Sequence, residues 1–266
     1  MSWSERQRRM LAEMGLTVWA PGSAAADTPV ADTAVAGTPQ ATPPSVVASV
    51  AAPAPAVATP RLSPAPALAA PAAASAVAQM DWPALRAAVA DCRACRLCEG
   101  RRNTVFGVGH EHAQLMVIGE APGEQEDRKG EPFVGAAGQL LDSMLRALGL
   151  TREAATPERQ VFIANTLKCR PPGNRNPEPG EMLACEPFLQ RQLALVQPKV
   201  ILAMGRFAVQ ALLRSNEPIG RLRGRVHRYQ GVPLVVTYHP AYLLRNLPDK
   251  AKSWEDLCLA AQILQG

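Results

Sequence analysis

Four short apolar runs alternate with five amphipathic stretches in the second part of the chain. Residues 115–118 (LMVI) form the first run, which stops at Gly119. Residues 161–164 (VFIA), 199–203 (KVILA) and 232–237 (VPLVVT) are the others. Runs of this length, rich in branched residues and bounded by Gly, Asn or Pro, predict buried strands. Between them the apolar positions recur at three and four residues. Leu140, Leu141, Met144, Leu145 and Leu148 share one face of a helix over 137–148 that closes at Gly149. The same spacing predicts helices over 83–91, 180–196, 206–213 and 249–264. Strands alternating with helices make a parallel sheet covered on both faces. With right-handed crossovers the expected fold is α/β: a three-layer αβα sandwich with a central four-stranded parallel sheet.

The loops after these strands hold the candidate chemistry, because open α/β sheets place ligands at the carboxyl ends of their strands. After the first strand comes GEAPGEQEDRKGEPFVG, residues 119–135. Gly119 and Gly123 let backbone approach a flat ligand closely. A phosphate loop is excluded, since neither a Lys-Ser/Thr ending nor the G-x-G-x-x-G spacing is present. Phe133 is either a local core plug or a platform on which a base stacks. The second strand ends at Asn165-Thr166 and the fourth at Tyr238-His239-Pro240. The bland reading makes Asn165 a turn residue and His239 a loop residue. Residues 167–181 (LKCRPPGNRNPEPGE) are kept out of helix and central strand by proline, and carry Lys168, Arg170 and Arg175.

Composition changes sharply before residue 81. Residues 21–78 are mostly Ala, Pro, Val, Thr and Ser, with Asp27, Asp32 and Arg61 as the charges. Lacking large apolar side chains, such a segment cannot offset its ordering entropy and is expected to be a disordered, proline-stiffened linker. Ahead of it, Met10, Leu11 and Met14 share a helical face and Trp19 follows, so residues 2–19 are a candidate peptide for docking a protein partner. The expected division is an arm, 1–80, and a domain, 81–266. The arm holds four Arg and four acidic residues, so the net charge of +5 falls on the domain and suits a polyanion. No apolar run is long enough to span a membrane. No apolar h-region of a secretory signal is seen either.

Six cysteines then point to metal or catalysis before disulfides. Cys92 and Cys95 form a C-x-x-C after the first helix, close enough to share one metal or cluster. Cys169 follows the second strand and Cys185 lies on the next helix, a spacing that fits a cluster at least as well as zinc. Cys98 and Cys258 look spare.

In order along the chain, C-x-x-C at Cys92, GEAPGEQED at 119–127, PFVG at 132–135, NTLKCRPPGNR at 165–175, Cys185 and HPAYLLR at 239–245 resemble the family 4 uracil-DNA glycosylases. The resemblance covers residues 81–266 and none of the arm. It implies a DNA-repair glycosylase that flips deoxyuridine from DNA and hydrolyses its N-glycosidic bond. By resemblance Cys92, Cys95, Cys169 and Cys185 hold a [4Fe-4S] cluster, and Cys98 is not matched. Phe133 stacks on uracil, Asn165 bonds its O4/N3 edge and His239 faces O2. Ala121 stands where the best-known branch of the superfamily carries a water-activating Asp, which leaves Glu120 and backbone groups to position water. The expected catalytic set is therefore Glu120, Asn165 and His239, with Ala121 and Phe133 completing the uracil pocket. Lys168, Arg170 and Arg245 are the expected phosphate contacts. Leu243 or Leu244 is the expected wedge in the gap left by the base. A monomer acting on uracil-containing DNA in bacterial cytoplasm is expected. One rival is a superfamily relative that binds covalently through a His in an inserted basic loop, and residues 170–175 contain no His. A second is an iron–sulfur protein that binds nucleic acid without turnover.

Overall fold

A computed structural model describes residue 13 and residues 76–266. The expectations for the linker and for the docking segment at 2–19 fall outside the described residues. Six strands form one sheet: β1 (Val108–Gly109), β2 (Leu115–Gly119), β3 (Phe162–Asn165), β4 (Val200–Met204), β5 (Val226–Tyr229) and β6 (Val232–Thr237), in the order β1-β3-β2-β4-β6-β5. The four expected strands are its parallel centre, with Val117 paired to both Ile163 and Leu202, and Leu202 to Val235. The expected count of four needs correcting, because β1 and β5 extend the sheet as antiparallel edges.

Alternation along the central strands builds two cores. Met116, Ile118, Phe162, Ala164, Ile201 and Ala203 face one cluster. Leu115, Val117, Val161, Ile163, Val200 and Leu202 face the other. The first core is covered by Leu85 and Val89 of α1 (Trp82–Ala90), Phe188, Leu189 and Leu193 of α5 (Pro179–Val196), and Val209 and Leu212 of α6 (Arg206–Leu213). Val77 is buried there as well, and Met80 packs against it, both ahead of Asp81. The second core is covered by Leu141, Met144 and Leu145 of α4 (Ala136–Ala147), and by Trp254 and Leu257 of α9 (Asp249–Gln265). This is the three-layer sandwich. Apolar burial on both faces explains why the central strands read as continuous hydrophobic runs.

Strand order reverses between β2 and β4. The chain winds from β2 to β3 on one side, then crosses to β4 and β6 on the other. Such a switch point opens a crevice at the carboxyl ends of the strands, since the loops leave in opposite directions. Short helices line its approaches: α3 (Glu124–Lys129), α7 (Ile219–Leu222) and α8 (Pro240–Leu243), while α2 (Leu97–Gly100) lies beside the cysteines.

Candidate active site and cysteine pocket

A cleft of about 1080 Å³ lies at this switch point, and Glu120, Ala121, Phe133, Asn165, His239 and Arg245 all line it. The sheet brings these residues together from four separate segments. Gly119 makes the convergence possible. A Cβ there would lie 2.5 Å from both Asn165 Oδ1 and Phe133 Cζ.

Phe133 is held in a conformation that costs energy. Its φ is +55°, the left-handed region that bulky residues avoid. The residues around it are pinned. Glu126 of α3 accepts hydrogen bonds from the backbone N–H groups of Gly123 (3.1 Å), Val134 (2.9 Å) and Gly135 (3.1 Å). Arg152 Nη1 donates to Pro132 O at 2.9 Å. The first turn of α4 fits under Phe133 because residue 138 is glycine; a Cβ would lie 1.6 Å from Phe133 O. The ring is buried and stacks on the imidazole of His239, with centroids 5.4 Å apart and planes inclined by 29°. Burial of the ring fits the reading of Phe133 as a core plug, and its edge lines the cleft.

Asn165 ends β3 and is 2 % exposed. Its Oδ1 is buried without a hydrogen-bond partner. A buried orphan acceptor is costly unless a ligand supplies the donor. His239 caps α8. Its Nδ1 accepts from the N–H of Ala241 at 3.2 Å, which leaves Nε2 as the protonated donor of a neutral ring. Burial first and then the charge of Arg245 lower the His239 pKa, against the opposing charge of Glu126, to about 4. Among the described residues Glu120 makes no side-chain hydrogen bond; burial raises its pKa and the charge of Arg206, at the start of α6, pulls it back. Sequence reasoning missed Arg206 and Glu126. Gly123 followed at the third residue by Glu126 is the spacing of a helix-starting box, the signal that could have found the latter.

The five cysteines Cys92, Cys95, Cys98, Cys169 and Cys185 line a second, small pocket on the far side of the loop after β3. Burial raises the pKa of Cys95 and Cys169, and that of Cys185 to about 12. Three N–H groups point at the sulfurs: Arg101 Nη1 on Cys169 at 3.1 Å, Lys168 N on Cys185 at 3.3 Å, and the backbone of Leu97 on Cys95. Among the described residues no three His, Cys, Asp or Glu side chains are placed to chelate a single metal ion. A multi-iron cluster asks for a different arrangement, with thiolates spread around a cavity and N–H groups turned to the sulfurs. The cysteine pocket fits that requirement. Cys98 lines it too, so the expectation of a spare thiol holds for its matching but not for its place.

Several expected DNA contacts are corrected. Lys168 is 2 % exposed and its Nζ bonds Asn165 O and Gln192 Oε1, so it reaches no phosphate. Leu243 is fully buried in the second core and cannot serve as a wedge, whereas Leu244 is 42 % exposed. Arg170 is half-buried, bonds Asn174 and pairs with Glu124. Arg175, also counted as loop charge, is tied to Glu181 through both of its terminal nitrogens. The Pro-rich loop thus uses most of its charge internally. Arg245 is exposed, and Arg206 stands over the ring of Phe207.

The uracil DNA glycosylase superfamily model matches residues 106–259. The type-4 uracil-DNA glycosylase of Saccharolobus solfataricus is 44 % identical over 177 residues, 63 % of this chain and 79 % of the relative. That of Pyrobaculum aerophilum is 40 % identical over 190 residues, covering 68 % and 93 %. That of Thermotoga maritima is 42 % identical over 166 residues, covering 62 % and 83 %. The chain belongs to the uracil DNA glycosylase superfamily. Within it, these relatives are all of the type-4 class.

Proposed function

We propose that this chain is a type-4 uracil-DNA glycosylase that reads its base with Asn165 and carries a [4Fe-4S] cluster on Cys92, Cys95, Cys169 and Cys185. It removes uracil from DNA in repair. The observation that carries the reading is the buried, unpartnered Oδ1 of Asn165, facing a cleft that also holds a stacking ring and a neutral imidazole donor.

Uracil must leave the base stack before its glycosidic bond is reached, at a cost of a few kcal/mol. In the cleft it stacks on Phe133, a contact worth about 1–3 kcal/mol. One amide supplies both polar contacts. Asn165 Oδ1 accepts from N3–H and Nδ2 donates to O4. Cytosine reverses that pattern and leaves both pairs unmade, which discriminates by ~10⁴ in favourable sites. As the bond to the sugar breaks, negative charge grows on uracil O2. The Nε2–H of neutral His239 donates to it, an effect worth ~10²–10³ in rate. Water adds to the sugar C1′ and an abasic site remains. Glu120, just after β2, orients that water, with the charge of Arg206 opposing the rise that burial gives its pKa. The cluster's contribution is structural, a tie between the segment before β1 and the loop and helix after β3.

Exposed Arg245 and Leu244 face DNA from the α8 side, as phosphate contact and wedge. The chain works as a monomer on DNA in the cytoplasm, with residues 2–19 as a tethered docking peptide. Single-turnover release of uracil from a dU oligonucleotide tests the reading. Wild-type protein is expected to release it, and Asn165→Ala to lose ~10²-fold or more while keeping its iron and its fold. Near wild-type cleavage by Asn165→Ala would show that the pocket is wrongly assigned.

A further inference from the structure

Buried ammonium groups are expensive, and a well-packed apolar side chain of similar volume is commonly no worse for stability. Lys168 is nonetheless one of the largest fully buried side chains of the chain. Its Nζ donates to Asn165 O at 2.9 Å and to Gln192 Oε1 at 2.6 Å. Gln192 is itself fully buried, and its Nε2 donates to Phe106 O at 2.9 Å. The backbone of Lys168 is fixed on both sides. Its N–H donates to Cys185 Sγ at 3.3 Å and its carbonyl accepts from Val105 N at 2.8 Å. One residue therefore touches the sulfur of the cysteine pocket with its backbone and the peptide of the base-reading residue with its side chain.

We propose that Lys168 is a positioning residue for uracil recognition: its ammonium, braced by Gln192, fixes the Asn165 peptide so that the carboxamide meets the uracil edge in register. The inference rests on the role given above to Asn165. A charge-assisted bond to a carbonyl is shorter and about twice as strong as a neutral one. It also has direction, which an apolar side chain lacks. The Asn165 carboxamide is two bonds from the backbone being held, so a small tilt of that peptide moves Oδ1 directly. A misplacement of ~1 Å at a reacting group costs ~10²-fold in rate.

Lys168→Met keeps the length and the backbone N–H on Cys185 Sγ, and removes only the ammonium. Iron content and visible absorbance are expected to stay at the wild-type level. Affinity for uracil-free DNA and its salt dependence are expected to be unchanged, since no phosphate contact is lost. Single-turnover cleavage is expected to fall ~10²-fold. On an Asn165→Ala background the same change is expected to cost almost nothing, because both act through one carboxamide. Equal losses on both backgrounds would overturn the proposal. So would weaker binding of uracil-free DNA with a salt slope reduced by about one, the mark of a phosphate contact. If Lys168→Met does not fold, Gln192→Leu leaves the ammonium–carbonyl bond but removes its brace. A several-fold loss that vanishes on the Asn165→Ala background supports the proposal, and an undiminished loss there refutes it. Wild-type protein that releases no uracil defeats the enzyme reading itself, and is recognised before any variant is compared.

Discussion

The cleft and the cysteine pocket meet at the loop after β3 and treat hydrogen bonds in opposite ways. In the cysteine pocket three sulfurs already receive an N–H. In the cleft, among the described residues, Asn165 Oδ1 has no partner, Glu120 makes no side-chain hydrogen bond, and His239 keeps Nε2 available once Nδ1 is bonded to Ala241. A site that holds a permanent group surrounds it with satisfied donors. A site that turns over keeps its donors and acceptors open and stabilises them from behind. Three residues along the chain separate Asn165 from Cys169, so one loop serves both purposes. The comparison is broken most sharply from the cysteine side. Cys185→Ser removes a thiol that burial keeps from ionising on its own and that needs a cation to hold it as thiolate. The expected outcome is loss of iron, of the brown colour and of much soluble protein. Full iron content by metal analysis would take Cys185 out of the cluster.

From the cleft side the largest loss after Asn165→Ala is expected for His239→Gln, ~10²–10³ in single-turnover rate. Its pH signature is distinct. The His239 pKa is lowered from 6.5 to about 4, so between those values the unfolded chain binds a proton that the folded one refuses. Stability from this group is therefore complete above about pH 6.5 and falls as pH drops toward about 4. Thermal melts from pH 7 to pH 4 are expected to show a smaller acid loss for His239→Gln than for wild type. Parallel curves would place the acid sensitivity on another group.

How far the sequence discloses each region depends on where burial comes from. The central strands are legible because burial on both faces forces an unbroken apolar run. β1 spans two residues, and β5 (VHRY) alternates exposed and half-buried positions, so neither carries that signal. α3 (EQEDRK) buries Asp127 and no apolar side chain, so it reads as a loop. Glu120, Phe133, Asn165 and His239 are legible because parallel topology gathers strand ends at one edge. Lys168 and Leu243 are not. A lysine in a proline-rich loop and a leucine after His239 look like surface residues, and only tertiary packing decides that both point inward.

That contrast gives the next test, on two adjacent leucines. Leu243 is fully buried and Leu244 is exposed. Leu243→Ala is expected to lower stability by about 2–5 kcal/mol, the usual cost of a core truncation. Leu244→Ala is expected to leave stability within about 0.5 kcal/mol. It should slow cleavage several-fold on double-stranded substrate and less on single strands, where no partner base opposes the flipped nucleotide. Equal slowing on both substrates would remove Leu244 as the wedge.

The smallest effect is expected at Cys98, and it sharpens the comparison most. Cys98 lines the cysteine pocket beside Cys92 and Cys95 but stands outside the four positions matched by resemblance. It is half-buried, and its backbone N–H closes a turn onto Cys95 O at 3.3 Å, a bond that Ser keeps. Among the described residues its sulfur, like that of Cys92, receives no N–H, unlike those of Cys95, Cys169 and Cys185. Because it stands outside the matched positions, Cys98→Ser should leave iron per chain, visible absorbance and uracil release close to wild type. Its melting temperature should shift by a few degrees at most. Loss of iron in Cys98→Ser would place the fifth thiol among the ligands.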